Sequence, residues 1–179
     1  MLERLCEAAF EHELIARKLS RWGIIYKMHT NPCITYLFLA VRKMKKFLES
    51  SKYVNYNSTL IIARAKELFR EKMTITEKAQ TAYYYVRDEI PHSFDCNAQI
   101  ITATASDVLK YKTGICHAKA NLLAALLRSQ GIPTGFCYQH ITLVDDDSKG
   151  YCLHCYNAVQ LGGMWVKVDA RGNTNGKNA

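Results

Sequence analysis

The apolar residues of this chain change their spacing at Gly131-Ile132-Pro133. Before this point they recur every three or four residues, which is the spacing of amphipathic helices. After it, segments 136–143 and 151–161 are typical of strands. Gly162-Gly163 then favours a two-residue hairpin turn into a further strand over 164–169. Helices followed by antiparallel strands predict an α+β domain.

The helical part divides at recognisable start and stop signals. Apolar spacing predicts one helix over 60–69, and the capping box Thr74-Ile75-Thr76-Glu77 predicts a second that ends before Pro91. Ser106-Asp107 predicts a short capped turn before Gly114. The helix that follows has the clearest apolar stripe, formed by Ala118, Leu122, Ala125 and Leu126 and widened by Leu123 and Leu127.

Size and composition favour one globular core. The chain has 179 residues, of which 49% are hydrophobic and 22% charged, and these values exclude a disordered or low-complexity segment. The densest apolar run, 34–41, is far shorter than the roughly 18 residues that a membrane span needs. We therefore expect a soluble domain without a membrane partner.

The net charge of +8 raises the question of a nucleic-acid partner. Half of the excess lies in residues 1–50, and the basic residues cluster only at Arg42, Lys43, Lys45 and Lys46. This cluster lacks interleaved aromatic residues, so a solvated surface is the better interpretation and no nucleic-acid partner is expected.

Cysteine usage predicts a reducing compartment. The seven cysteines are odd in number and irregularly spaced, which argues against the disulfide framework of a secreted protein. Acidic residues from Glu3 to Glu13 precede any apolar stretch that would form a secretory signal. A cytoplasmic location is therefore expected.

Cys116 has the surroundings of a nucleophile. It follows Gly114 and opens the best-defined helix, where N–H groups and the helix dipole stabilise a thiolate. The same N–H groups can bind the oxyanion that forms when a thiolate attacks a carbonyl. Gly114 permits a sharp turn into the helix. A cysteine at a helix start is more often structural, so the interpretation depends on finding an imidazole nearby.

The predicted hairpin supplies an imidazole and a carboxylate on one face. A two-residue turn at Gly162-Gly163 places Tyr156 opposite Asp169, and His154 opposite Arg171. Because residues 154 and 156 share a face, His154 and Asp169 are diagonal neighbours at about 7–8 Å between backbones. Their side chains can span that gap with a hydrogen bond. Cysteine, histidine and aspartate together indicate nucleophilic catalysis.

Four motifs in this order resemble the transglutaminase-like superfamily: Gly114-Ile115-Cys116, residues 126–133, His154-Cys155-Tyr156-Asn157 and residues 165–169. The resemblance implies a papain-like α+β core in which the cysteine helix packs on a C-terminal antiparallel sheet. It implies Cys116 as nucleophile, His154 as base and then acid, and Asp169 as the group that orients His154. Family members act on peptides and amides through an acyl-thioester, as cysteine peptidases, transamidases or deamidases. No metal or organic cofactor is expected, and the expected partner is a peptide or protein substrate.

The chain also departs from the family pattern. His117 and Tyr156 stand where many members have an aromatic residue and a tryptophan. The chain ends ten residues after Asp169, where relatives usually continue with further sheet. We therefore expect a domain over residues 44–179 that is truncated at its C-terminus, and an N-terminal extension over 1–43 whose order the sequence does not predict.

Several further residues are secondary candidates. Gln139 and Asn97 are candidate oxyanion donors, and His117 is a candidate for the pocket entrance. Asp95 is expected to cap a turn. Trp165 is expected in the core beneath the hairpin.

Two other interpretations compete with an enzyme. Cys152, His154 and Cys155 form a possible zinc-ligand set, but alternation in a strand places Cys155 on the opposite face from the other two. The second alternative is a catalytically inactive module of the same fold that serves an interaction. The cysteine peptidase or amidase remains the leading hypothesis.

Overall fold

A computed structural model of the protein describes residues 44–142 and 150–172. The predicted extension over 1–43, most of the polar turn after the first strand and the last seven residues lie outside this range. The predicted domain boundaries and the C-terminal truncation therefore stay predictions. Within the described ranges, no helix is long and apolar enough to cross a membrane.

The described residues form an α+β arrangement of helices followed by a three-stranded antiparallel sheet. A short 3-10 turn, Lys46–Leu48, precedes the helices. In chain order the helices are α1 (Thr59–Leu68), α2 (Ile75–Glu89), α3 (Ala105–Tyr111) and α4 (Cys116–Ser129). The strands are β1 (Thr134–Thr142), β2 (Tyr151–Leu161) and β3 (Met164–Val168). The predicted fold class is confirmed.

The start of α2 is the capping box that the sequence predicts. Thr74 Oγ1 accepts a hydrogen bond from the Glu77 N–H at 3.2 Å, and the Glu77 carboxylate accepts one from the Thr74 N–H at 2.7 Å. Two otherwise unpaired N–H groups are thereby satisfied.

Helix α3 begins earlier than Ser106-Asp107 predicts. Its cap is Thr104, whose Oγ1 accepts from the Asp107 N–H at 3.1 Å. Ser106 instead accepts a hydrogen bond from the Asn55 side chain at 2.8 Å, and its N–H donates to Asn55 Oδ1 at 3.1 Å. The Ser106 side chain, which the local sequence assigns to the cap of α3, therefore binds Asn55 instead.

The hairpin of β2 and β3 has the register that a two-residue glycine turn predicts. Leu161 pairs with Met164, and Asn157 pairs with Val168 at the other end. Gly162 and Gly163 have φ values of +56° and +86°, a left-handed conformation that glycine adopts without a steric penalty.

Helix α4 is the centre of the core. Every residue from Ala118 to Arg128 is buried except Asn121, which is half-buried. The buried surface of α4 is therefore wider than the predicted apolar stripe, because α1, α2, α3 and the sheet all contact this helix. Trp165 also differs from expectation: it is 43% exposed and packs edge-on against Phe47, with ring centroids 4.8 Å apart.

Candidate active site

Cys116 is the first residue of α4, and its thiol is half-buried. The preceding residue, Ile115, caps the helix without a side-chain hydrogen bond to the first turn. The N–H groups at the start of α4 are therefore not occupied by a capping side chain, and they can interact with a thiolate or an oxyanion.

Gly114 is needed for close packing rather than for the turn that the sequence suggests. Its φ is not positive. A Cβ at this position would lie 3.1 Å from the Ala118 Cβ and 3.3 Å from Thr102 Oγ1. Gly114 also forms an isolated parallel bridge with His92. A side chain here would therefore crowd the contact between Gly114 and the first turn of α4, which begins at Cys116.

The thiol of Cys116 lies beside His117 in this structure. Its Sγ is 3.3 Å from His117 Nδ1. No hydrogen bond joins Cys116 to His154 in the part of the chain that the structure describes. The ring of His117 in turn lies 5.9 Å from that of Tyr138 on β1. The side chain of His117 therefore contacts the thiol, and its role at a pocket entrance stays a prediction.

His154 and Asp169 are hydrogen-bonded to each other. His154 Nε2 lies 2.6 Å from Asp169 Oδ2, although the residues are fifteen positions apart. The side chain of His154 is 9% exposed, and the Tyr156 ring stacks near it with ring centroids 6.1 Å apart. A carboxylate only accepts hydrogen bonds, so Nε2 carries the proton and Nδ1 is the nitrogen left to accept another one.

The packing of β2 on α4 orients these groups relative to Cys116. Asn157 Nδ2 donates to the Ala120 carbonyl at 3.2 Å, and Gln160 N donates to the Pro133 carbonyl just beyond the end of α4 at 2.9 Å. Moving along β2 from 157 to 160 thus leads toward the end of α4. Residue 154 consequently lies toward the start of α4, where Cys116 is found.

An ion pair that the sequence does not predict adjoins Asp169. Arg171 forms two hydrogen bonds with Asp95, at 2.6 and 3.0 Å, and its N–H donates to Asp169 Oδ1 at 3.0 Å. The Arg171 guanidinium lowers the pKa of the Asp95 carboxyl, and Asp95 raises the pKa of Arg171. Asp95 therefore has a long-range partner, in place of the turn-capping role expected. No local pattern signals this contact, because Asp95 and Arg171 lie 76 positions apart in the chain.

His92 is a second buried imidazole in the same region. It is 6% exposed, and its Nδ1 accepts a hydrogen bond from the Phe94 N–H at 3.4 Å. Burial, together with the nearby charge of Arg171, lowers the pKa of His92 to about 4. This ring is neutral near pH 7, and the backbone of His92 bridges to that of Gly114.

Lys119 is a buried cation one turn after Cys116. It is 1% exposed and donates to the carbonyls of Ile90 and, at 3.3 Å, Arg87, so it ties the end of α2 to α4. Burial lowers the pKa of Lys119 to about 8. A lysine within an otherwise apolar helical stretch was the sequence signal for this residue.

The two candidate oxyanion donors occupy different places. Gln139 pairs with His154 across β1 and β2, so it lies beside the imidazole with an exposed side chain. Asn97 lies in the loop after His92 with a φ of +50°, and its side chain is exposed. Within the described ranges, neither makes a hydrogen bond to Cys116. No group of three or more histidine, cysteine, aspartate or glutamate side chains among the described residues is arranged to hold a metal ion.

Comparison with known proteins identifies the fold. The sequence profile of the Transglutaminase-like superfamily matches residues 62–170, a segment that includes Cys116, His154 and Asp169. A candidate cysteine protease from Cytophaga hutchinsonii has a similar structure, with a TM-score of 0.58 and 19% identity. That alignment covers 72% of this chain and 42% of the other.

Two further structures are less similar, with TM-scores below 0.5. The periplasmic domain of TgpA from Pseudomonas aeruginosa, bound to ethylmercury, has a TM-score of 0.49 and 16% identity over 72% of this chain and 48% of that one. A candidate protease from Parabacteroides distasonis has a TM-score of 0.48 and 16% identity over 72% and 25%. The chain thus spans less than half the length of each of these structures. No curated protein is significantly similar to it in sequence.

Proposed function

The chain belongs to the transglutaminase-like superfamily, and on this basis we propose that it is a thiol-dependent acyl-transfer enzyme, a cysteine peptidase or amidase. Its substrate is a peptide or protein amide, and the reaction proceeds through a thioester on Cys116. His154 serves as base and acid, and Asp169 orients His154.

The observation that carries this proposal is the 2.6 Å hydrogen bond between His154 Nε2 and Asp169 Oδ2. It fixes the ring so that Nε2 faces the carboxylate, and in the neutral imidazole Nδ1 is then the nitrogen that can act as a general base. A strand histidine with no such acceptor has neither a fixed tautomer nor a fixed ring orientation.

The reaction begins with transfer of the Cys116 proton to His154 Nδ1. The thiolate attacks the amide carbon, and the N–H groups at the start of α4 hold the resulting oxyanion. Protonated His154 then gives its proton to the departing amine as the carbon–nitrogen bond breaks. Water, deprotonated by His154, attacks the thioester and releases the acid together with the free thiol.

This sequence of steps requires the thiol to leave its present partner. In the structure the Cys116 Sγ faces His117 Nδ1 at 3.3 Å. A change of the Cys116 χ1 rotamer redirects the sulfur at little energetic cost, since staggered rotamers of an exposed or half-exposed side chain interconvert rapidly. We propose that the reactive state is the one in which the thiol faces His154.

The test is the pH dependence of Cys116 alkylation by iodoacetamide, followed by site-resolved mass spectrometry to separate it from the other cysteines. The wild type is compared with His154→Ala, and with His140→Ala as a control that removes an exposed imidazole of β1. A thiolate–imidazolium pair reacts rapidly near pH 6, and only the His154 variant loses this reactivity.

The opposite outcome identifies the alternative function. If Cys116 titrates as an ordinary thiol near pH 8.5 in all three proteins, the enzyme proposal fails. The chain is then better described as an inactive interaction module of this family. Turnover of peptide amides by the wild type, abolished in Cys116→Ala, is the corresponding test of the whole reaction.

A further inference from the structure

We propose that the Asp95–Arg171 ion pair is a positioning device that sets the separation between the segment leading into Cys116 and the segment that carries Asp169. This inference rests on the proposed function, because it concerns how the nucleophile and its base are held together. Neither side chain touches Cys116 or His154 through a hydrogen bond, so both act through other residues.

The Asp95 end of the pair is fixed to the lead-in segment of α4. The Ser93 N–H donates to the Gly114 carbonyl at 3.2 Å, and Ser93 Oγ lies 3.2 Å from Thr113 Oγ1. The Asp95 N–H donates to the His92 carbonyl at 2.9 Å, and His92 itself bridges to Gly114. Asp95 therefore lies in a turn whose backbone is hydrogen-bonded to the residues just before Cys116.

The Arg171 end is fixed to the hairpin. Its N–H donates to Asp169 Oδ1 at 3.0 Å, while Asp169 Oδ2 accepts from His154 Nε2 at 2.6 Å. Arg171 also binds Asp95 through its guanidinium, so hydrogen bonds at both ends of this residue connect Asp95 to Asp169 and, through Asp169, to His154.

The ion pair has the geometry to resist movement. Two parallel N–H···O bonds between a guanidinium and a carboxylate fix both distance and orientation, unlike a single contact. The two side chains are only 30% and 31% exposed. The charged or titratable groups that surround the pair are Asp169 on the hairpin, Lys119 and Cys116 on α4, and His92 on the loop. Without the pair, the loop and the hairpin retain no other ion pair between them among the described residues.

The experiment compares the wild type with Asp95→Asn, Arg171→Gln and the double variant. Arg171→Gln keeps the N–H that Asp169 accepts and removes only the guanidinium. Glu67→Gln is the matched control, because it breaks another carboxylate–arginine pair, with Arg64 on α1 at 2.6 Å. Two quantities are measured in each protein: the rate of Cys116 alkylation from pH 5 to 9, and the ¹H shift of the His154 Nε2 proton.

We expect each single variant to slow alkylation near pH 6 by about tenfold to a hundredfold, since small displacements of reacting groups have effects of this size. The double variant should be no slower than the slower single variant, because the two residues act as one unit. The Nε2 proton should shift or broaden in all three. Glu67→Gln should match the wild type in both measurements.

The two proposals fail in different ways. If the wild type shows no reactivity that depends on His154, the proposed function fails, and the Nε2 proton alone decides whether the pair positions His154. If the wild type is reactive and both variants match it in rate and in proton shift, only the positioning role is overturned. Thermal melting identifies any variant that fails to fold. Arg171→Lys keeps the charge but not the two-point contact, and it replaces a variant that does not fold. Its rate of Cys116 alkylation should lie between those of the wild type and of the other Arg171 variant.

Discussion

Cys116 Sγ lies 3.3 Å from Nδ1 of its sequence neighbour His117, while His154 is hydrogen-bonded to Asp169 at 2.6 Å. One imidazole thus contacts the thiol, and a different imidazole is oriented by a carboxylate. An imidazole held in one tautomer is the better base.

His117→Ala should speed alkylation of Cys116 at low pH. The variant removes the hydrogen bond that holds the thiol away from His154, and a bond of this kind contributes about 0.5–1.5 kcal/mol, which corresponds to a change of about twofold to tenfold. The rate of iodoacetamide labelling near pH 6 measures the effect. A rate as low as that of His154→Ala would instead make His117 the partner of the thiol.

Asp169→Ala should slow the reaction more than Asp169→Asn does. The amide of asparagine can still accept the His154 Nε2–H hydrogen bond, so the ring orientation is partly kept, whereas alanine leaves the imidazole with no acceptor. The carboxylate charge, which stabilises the imidazolium, is lost in both. Labelling rates across the pH range measure both variants, and equal rates in wild type and Asp169→Ala would exclude an orienting role.

Lys119 should make stability depend on pH in the alkaline range. Its pKa is lowered from 10.5 to about 8 by burial, so between these values the unfolded chain binds the proton that the folded protein releases. The free energy of unfolding therefore rises with pH over this range, by about 3 kcal/mol at most.

The measurement for Lys119 is the difference in free energy of unfolding between the wild type and Lys119→Met at several pH values. This difference should change in favour of the wild type as the pH is raised from about 8. Lys66→Met, which removes an exposed lysine of α1, is the control for loss of charge. A difference that is independent of pH would show that the buried amine keeps its ordinary affinity for the proton.

Gly172→Ala should destabilise the protein more than Gly163→Ala. Both glycines have positive φ, +109° and +86°, so alanine is strained at either position by about 1–3 kcal/mol. At Gly172 the added Cβ would also lie 3.2 Å from the Arg87 carbonyl oxygen and 3.5 Å from Lys119 Nζ, whereas the space at Gly163 is open. Urea unfolding of both variants measures the difference. Equal losses would mean that the contact at Gly172 relaxes freely.

Local sequence signals correctly predicted the start of α2 and the register of the hairpin. The capping box at Thr74 and the turn at Gly162-Gly163 are short-range features whose hydrogen bonds lie within a few residues. Because side chains in a strand alternate strictly between faces, that turn also predicts that His154 and Asp169 can meet. The family resemblance added the order of the motifs.

Contacts between distant segments emerge only when the elements are packed together. Asn55 binds Ser106, which the local sequence assigns to a helix cap. Arg171, which adjoins Asp169, binds Asp95, a residue 76 positions earlier in the chain. Helix α4, including Lys119, is buried because other helices and the sheet pack around it. The periodicity of one helix does not reveal which elements will pack against it. Such contacts depend on how whole elements are placed in space, since pairing between distant residues leaves no periodic signal in either segment.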